Sequence, residues 1–258
     1  MCDPGDVTRG PAPSLALAPP APLLRGFRVI LASASPRRRE IFGLTGVSFE
    51  VIPPAFEESL SKAALPRAQD YARETARGKA LEVAARVFQD DPETPYVVIG
   101  ADTVVAVDGL ILEKPADQED AVRMLRRLSG KEHGVITGVA IVVRRHGAGP
   151  TQEVLAFHEE TRVTFSPLSD DLVREYVETG EPMDKAGAYA LQARGAVLAE
   201  RVCGDVLNVV GFPLNRVCRE LTRLLLGPGQ EVTSAGMGSD VNRRSDITAG
   251  RGDVGDRT

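Results

Sequence analysis

Apolar positions recur along the middle of the chain with two different periods, and together they set out an alternating order of strands and helices. A short apolar run predicts a strand over 27–32, after which Ser35 and Pro36 suit the cap and first position of a helix reaching about residue 44. A second strand is expected over 48–52. Apolar residues at helical spacing, among them Tyr71, Ala72, Ala76, Ala80, Val83 and Val87, predict a long amphipathic helix over 66–88. The continuous apolar run 96–101 reads as a central strand buried on both faces. Two short strands, 103–107 and 110–112, flank Asp108-Gly109, a hairpin signal because glycine readily takes the positive φ of such a turn. A helix over 117–128, long strands over 135–144 and 154–165, a helix over 169–179 and a last helix over 212–226 complete the series. Helices and strands alternate first and an antiparallel part follows, which predicts an α/β fold with a mixed sheet.

The two ends read differently. Residues 1–26 carry six prolines and no period, so a leader without fixed structure is expected there. From about 227 to 258 the chain turns to Gly, Ser, Asp, Arg and Thr, and the same expectation holds for this polar tail. The folded body is then 27–226, the size of one large α/β domain. A content of 43% hydrophobic and 26% charged residues over 258 positions is that of a soluble globular protein. With a net charge of −5 the overall field favours neither a nucleic acid polymer nor an anionic membrane, so any anion site must be local. Cys2, Cys203 and Cys218 are odd in number and widely spaced, which argues against a disulfide framework or a structural zinc and suggests a cytoplasmic, reducing location. No window has eighteen uninterrupted apolar residues, and the partly apolar stretch 14–30 is broken by Pro19, Pro20 and Pro22, so neither a transmembrane helix nor a secretory signal is expected.

Common nucleotide and metal signatures fail. Gly130-Lys131 has Leu125 where a P-loop needs glycine and is followed by Glu132, and no G-x-G-x-x-G opens a helix after a strand. His133, His146 and His158 are too scattered for a histidine metal site, and each reads as an ordinary surface or loop residue. What remains is charge at the ends of predicted elements. Ser33 to Arg39 places a small-residue turn and a helix N-terminus beside three guanidinium groups, and cations there are unfavourable unless an anion is near. Arg37 and Arg38 are therefore candidates for phosphate contacts, with a solvated basic turn as the plain alternative. Asp102 stands where the run 96–101 ends, a position suited to binding a divalent cation or accepting a proton, although a turn aspartate is the commoner use. Lys114 follows the hairpin, Glu57-Glu58 follows the second strand and Lys79 lies on the long helix; alone, each would read as a solvated charge. The dense block 180–192 falls between helix and strand, where binding loops sit, and Asn208 reads as a turn former before a helix starting at Pro213.

In order along the body, LASASPRR, GADTVV, LEKP, Thr137-Gly138-Val139, EET at 159–161, GEPMDKAGAY and GDVLNVVGFPL resemble the Maf family of nucleoside triphosphate pyrophosphatases. Seven ordered motifs over 27–226 make the resemblance specific. It implies a Maf/ITPase-like mixed twisted sheet with flanking helices and a cleft between two lobes. It also implies hydrolysis of a nucleoside triphosphate to the monophosphate and pyrophosphate with a divalent metal cation, Mg²⁺ or Mn²⁺. By position, Asp102 matches the family's proton acceptor, and Arg37, Thr103 and Gln192 match residues that set base preference in members acting on dTTP and UTP. Arg38, Lys79 and Lys114 match charges around the phosphates, and Asp102 with Glu58 match the metal-facing carboxylates. Ala188 and Ala190 depart from the glycines common in relatives, and their methyls are expected to narrow the cleft. Dimerisation is compatible with the family, but no residue pattern specifies it. Some Maf-like regions are followed by a methyltransferase-like half; here the polar tail stands in that place and no methyl transfer is expected. The alternative from another class is a catalytically inactive nucleotide-binding or regulatory module, against which stands the retention of every charged motif position.

Overall fold

A computed structural model describes residues 20–57, 60–147 and 151–226. The order of elements is β1 (Arg28–Ala32), α1 (Pro36–Gly43), β2 (Glu50–Val51), α2 (Ala68–Asp90), β3 (Tyr96–Val107), β4 (Leu110–Leu112), α3 (Gln118–Leu128), β5 (Glu132–Arg144), β6 (Glu153–Phe165), α4 (Asp170–Glu178), β7 (Ala199–Cys203), α5 (Val206–Val210) and α6 (Leu214–Leu226). All seven strands form one mixed sheet in the order β2-β1-β3-β5-β6-β7, with β4 paired to β3. β1 runs parallel to both β2 and β3, whereas β3, β5, β6 and β7 are antiparallel to one another in turn. The expected α/β class and mixed sheet are what the chain forms.

β3 departs from expectation in a way that matters. The sequence places a strand end before Asp102, yet β3 runs unbroken for 12 residues through Asp102 and Thr103. What ends there is the neighbour: Ala32, the last residue of β1, pairs with Gly100. Between Gly100 and Val105, where β4 begins to pair, one edge of β3 is therefore open while the other stays paired to β5, with Asp102 opposite Gly138 and Thr103 opposite Thr137. Because successive strand residues point to opposite faces, Asp102 and Thr103 look to different sides. On Thr103's side, Val97, Ile99 and Ala101 join a core made with Ile41 and Phe42 of α1 and Val217 and Leu221 of α6. Further along that side, Val105 and Val107 join a second core with Leu125 and Leu128 of α3 and Val173 and Tyr176 of α4. Thr103 sits on β3 between these two cores.

On the other side α2 lies across the sheet through a stripe of small residues. Ala76, Ala80 and Ala84 pack on Ile30, Val98, Ala140 and Val142, and Ala72 packs on Val104 and Ile136. The approach is close because two sheet positions lack side chains. A Cβ at Gly100 would lie 2.7 Å from the Ala76 carbonyl oxygen, and one at Gly138 only 2.1 Å from that of Ala72.

Other differences have simple causes. The folded part begins before residue 27: a 3-10 turn at Ala21–Leu24 buries Leu24 in the α1/α6 core. The rest of the expected leader, 1–19, and the expected tail, 227–258, lie outside the described residues. β7 and α5, five residues each, are too short to show a period, and neither was legible. Ser35 occupies the cap position of α1 without a side-chain cap bond; instead its N–H donates to Ser33 Oγ at 3.1 Å. Among the described residues no helix is long and apolar enough to cross a membrane.

The seating of α2 makes a prediction. Gly138→Ala should lower unfolding free energy by about 3 kcal/mol or more in urea denaturation, because only backbone atoms stand in the way of the methyl. Gly43→Ala, whose methyl meets open space, should change it by less than about 1 kcal/mol. Equal effects would show that the helix is not tightly seated.

Candidate active site

The open edge of β3 faces a cavity of about 510 Å³. Its walls are the β1–α1 turn, the middle of β3, the segment after β4, the 184–192 loop and the 209–211 backbone. Arg37, Arg38, Lys79, Asp102, Thr103, Lys114 and Gln192 all line it. These seven residues come from five separate stretches of chain, so the fold unites what the sequence scatters. Glu58, the eighth expected site residue, lies outside the described residues. Sequence reasoning did not single out Glu113, Asp184 and Lys185, which also line the cavity. Among the described lining residues five cationic side chains face three carboxylates. A chain of net charge −5 thus holds a locally positive hollow, as an anion site requires.

Lys79 is not the solvent-facing lysine that the helical pattern predicts. It is 7% exposed, as is Asp102, and its Nζ donates to Asp102 Oδ1 at 2.7 Å. The approach of α2 permitted by Gly100 and Gly138 brings the ammonium there. The pair offsets the cost of burying each charge, and removing either partner would leave the other in a poorly hydrated wall.

Arg37 and Arg38 leave the first turn of α1 in different directions. Arg37 Nη1 donates to Asp184 Oδ2 at 3.0 Å and Nη2 to the Asp184 carbonyl at 3.4 Å, so this arginine links the α1 side of the cavity to the 184–192 side. Burial alone would raise the Asp184 carboxyl, but hydrogen bonds from Lys185 and Arg37, with their charges, hold it below the usual aspartate value. Arg38 Nε donates to the Gly211 carbonyl at 2.9 Å and Nη2 to Thr103 Oγ1 at 2.9 Å. Arg39, the third guanidinium of the turn, is exposed and absent from the lining. Glu113 accepts from Tyr71 Oη at 2.8 Å and pairs with Lys62. Lys114 and Gln192 are exposed at the rim.

The 181–195 segment is held by a polar cluster. Glu181 accepts from Tyr176 Oη at 2.8 Å, from Gly195 N at 3.0 Å and from Arg194 N at 3.2 Å, while the Tyr176 hydroxyl accepts from Ala190 N at 3.1 Å. Burial pushes the Tyr176 phenol up, so it stays protonated and keeps donating. Burial also acts to raise Glu181, but the Gly195 N–H, the Tyr176 hydroxyl and the Arg194 N–H bring its carboxyl below the ordinary value. Ala190 lines the cavity as expected, but Ala188 does not: it is fully buried in the α3/α4 core with φ +62°, so its methyl does not narrow the cleft.

Two further expectations are corrected. Asn208 is not a turn former; it lies on α5, fully buried, and donates from Nδ2 to the Val135 carbonyl at 3.0 Å and to Thr161 Oγ1 at 3.1 Å. His133 is not a surface residue. It is 3% exposed at the start of β5, with Nε2 2.9 Å from the hydroxyl of Tyr189, a lining residue, and its ring edge-on to Phe165. His146 is exposed and His158 partly so.

As for a metal, the described residues hold no cluster of three or more His, Cys, Asp and Glu side chains. Asp102 is a hard oxygen donor in the cavity wall, and an ion of the magnesium class takes one or two carboxylates with the remaining ligands from phosphate and water. The donor chemistry therefore fits such an ion bound together with a phosphorylated ligand, not a cage built by the protein alone.

Comparison with known proteins agrees with the geometry. The description of Maf-like proteins matches residues 28–224, and the chain belongs to this family. A human protein named probable bifunctional dTTP/UTP pyrophosphatase/methyltransferase is 57% identical over 208 residues, 79% of this chain and 33% of its own length. This chain thus spans about a third of that relative. The dTTP/UTP pyrophosphatase of Symbiobacterium thermophilum is 45% identical over 76% of this chain and 93% of its own, and that of Thermococcus onnurineus 47% identical over 73% and 94%. A solved nucleoside-triphosphatase / dITP/XTP pyrophosphatase from Mycobacterium abscessus aligns over 55% of this chain and 76% of its own at TM-score 0.32 and 16% identity, too low to add to the argument.

Burial lowers His133 from 6.5 to about 4. The unfolded chain therefore binds a proton that the folded chain refuses, so this histidine's contribution is complete above about pH 6.5 and declines as pH falls toward 4. The full loss is about 3 kcal/mol. In urea denaturation at pH 7 and pH 5, His133→Gln should fall less on acidification than the unaltered chain, by about 2 kcal/mol. Parallel losses would show that His133 titrates normally.

Proposed function

We propose that this protein hydrolyses dTTP and UTP, and modified pyrimidine nucleotides of the same shape, to the monophosphate and pyrophosphate. The observation that carries the reading is the convergence of Asp102 with Arg37, Arg38, Lys79 and Lys114 on one cavity. The names of the relatives that align over nearly their whole length support the same substrates.

A triphosphate brings about four negative charges, and cleavage at the α-phosphorus places more on the departing pyrophosphate. Fixed cations aimed at that charge stabilise the transition state without reorganising as it forms. Arg38, Lys79 and Lys114 fill this role along the phosphates. Lys79 holds Asp102 through Oδ1 and so orients the carboxylate. Asp102 takes the proton of the attacking water, and the new P–O bond forms as the bond to the β-phosphate oxygen breaks. When bound at Asp102, with Glu58 as the second carboxylate expected, a magnesium or manganese ion would supply Lewis-acid polarisation of the phosphoryl oxygens. At the rim, the Gln192 amide has both donor and acceptor and complements the imide edge that thymine and uracil share. Arg37 meets the nucleotide from the β1–α1 side. Such substrates fit a cytoplasmic enzyme, and Cys203 and Cys218, both unpaired, agree with a reducing location.

Asp102→Asn keeps an oxygen for Lys79 but cannot take the proton, so turnover of dTTP should fall about 100-fold or more. Products should be separated with Mg²⁺ present. Monophosphate with pyrophosphate in equal amounts is the expected pattern, whereas diphosphate with phosphate would mean an ordinary phosphatase. Binding without any turnover by the unaltered chain would favour the inactive nucleotide-binding module.

A further inference from the structure

From the cavity wall inward runs a closed ring of hydrogen bonds that joins Arg38, Thr103 and Gly211 of the lining to Thr137 and Asn208. Thr103 and Thr137 are cross-strand partners on β3 and β5, and their hydroxyls lie 3.0 Å apart. Thr137, fully buried, also contacts the Asn208 carbonyl at 3.1 Å. A carbonyl can only accept, so Thr137's single proton goes to Asn208. The Thr103–Thr137 bond then needs Thr103's proton. Thr103 is left as an acceptor, and Arg38 Nη2 donates to it at 2.9 Å. Arg38 Nε donates at 2.9 Å to the Gly211 carbonyl, and Gly211 N donates at 3.0 Å to the Asn208 carbonyl, which closes the ring. Asn208 is itself pinned to β5 and β6 by its side-chain amide.

We propose that Thr103 and Thr137 are positioning residues that fix the plane of the Arg38 guanidinium, and that Thr103 offers no proton to a bound nucleotide. This rests on the pyrophosphatase reading above and deepens it. Thr103 lies in the position associated with base preference, yet the polarity of the ring commits its proton inward. Two nitrogens of Arg38 are anchored, Nε on the Gly211 carbonyl and Nη2 on the Thr103 hydroxyl of β3, which Thr137 holds in turn. The guanidinium is thus oriented before any phosphate arrives, which is how a fixed cation gains over a mobile one.

The test is a double-mutant cycle. Thr137→Val keeps the shape and removes the hydroxyl; it should lower kcat/KM for dTTP about tenfold, and Thr137→Ser should recover most of that loss. In an Arg38→Ala background the same Thr137→Val change should cost less than about twofold, because the residue it positions is gone. An equal penalty in both backgrounds, no penalty at all, or no recovery with serine overturns the proposal. Thr103→Val should lower rates on dTTP, UTP and CTP by a common factor, whereas a change in their ratio of more than about tenfold would make Thr103 a base reader. Thermal unfolding of each variant separates lost structure from lost positioning. If the unaltered chain releases no pyrophosphate, the pyrophosphatase reading fails. The cycle then decides the ring through calorimetric affinity for inorganic pyrophosphate, with a penalty for Thr137→Val that vanishes without Arg38 supporting it and any other pattern overturning it.

Discussion

The close seating of α2 on the sheet is the constraint from which the rest of the cleft follows. Alanines on the helix meet Gly100 and Gly138 on the sheet, and the distance this leaves is too short for another methyl. Only at that distance does Lys79 reach Asp102. Gly138 is also the cross-strand partner of Asp102, so the same missing side chain admits the helix and keeps the place beside the carboxylate small. An ion pair in a poorly hydrated wall interacts more strongly than one in water, at the cost of desolvating both members. Packing and electrostatics are therefore one problem here, solved by the absence of atoms.

A second constraint is topological. β3 is parallel to one neighbour and antiparallel to the other, and the parallel neighbour stops first. In open α/β sheets functional groups collect where such a change leaves a crevice. Alternation along the strand then gives adjacent residues separate surroundings: Asp102 is served by α2, and Thr103 by α1 and β5. Two consecutive positions thus belong to different networks while lining the same hollow.

Most elements were legible because period and punctuation agree. The hairpin at Asp108-Gly109 and the caps at Asp117 and Ser169 are local, and local chemistry decides them. Arg37, Arg38, Lys79, Asp102 and Lys114 were legible from family positions, whereas Glu113, Asp184 and Lys185 and the surroundings of them all were not. Spacing tells which face of a helix a residue occupies, not what lies opposite, and so Lys79 read as solvated. A polar residue inside an apolar run looks like a strand end, which hid the continuity of β3 through Asp102. Asn208 and His133 are buried by distant segments whose approach no local pattern records. Thr137 left two clues, its place in a family motif and its hydroxyl amid Val135, Ile136 and Val139, where an apolar residue would otherwise serve.

The link between Arg37 and Asp184 has a bearing on how the two walls part. It joins segments 147 positions apart, and the Asp184 side chain remains 60% exposed. Ion pairs open to water contribute little net free energy, about 0–1 kcal/mol. The contact is thus a weak one, and its carboxylate is the counter-ion of Arg37 in the cavity wall. Rising ionic strength weakens an exposed pair of this kind.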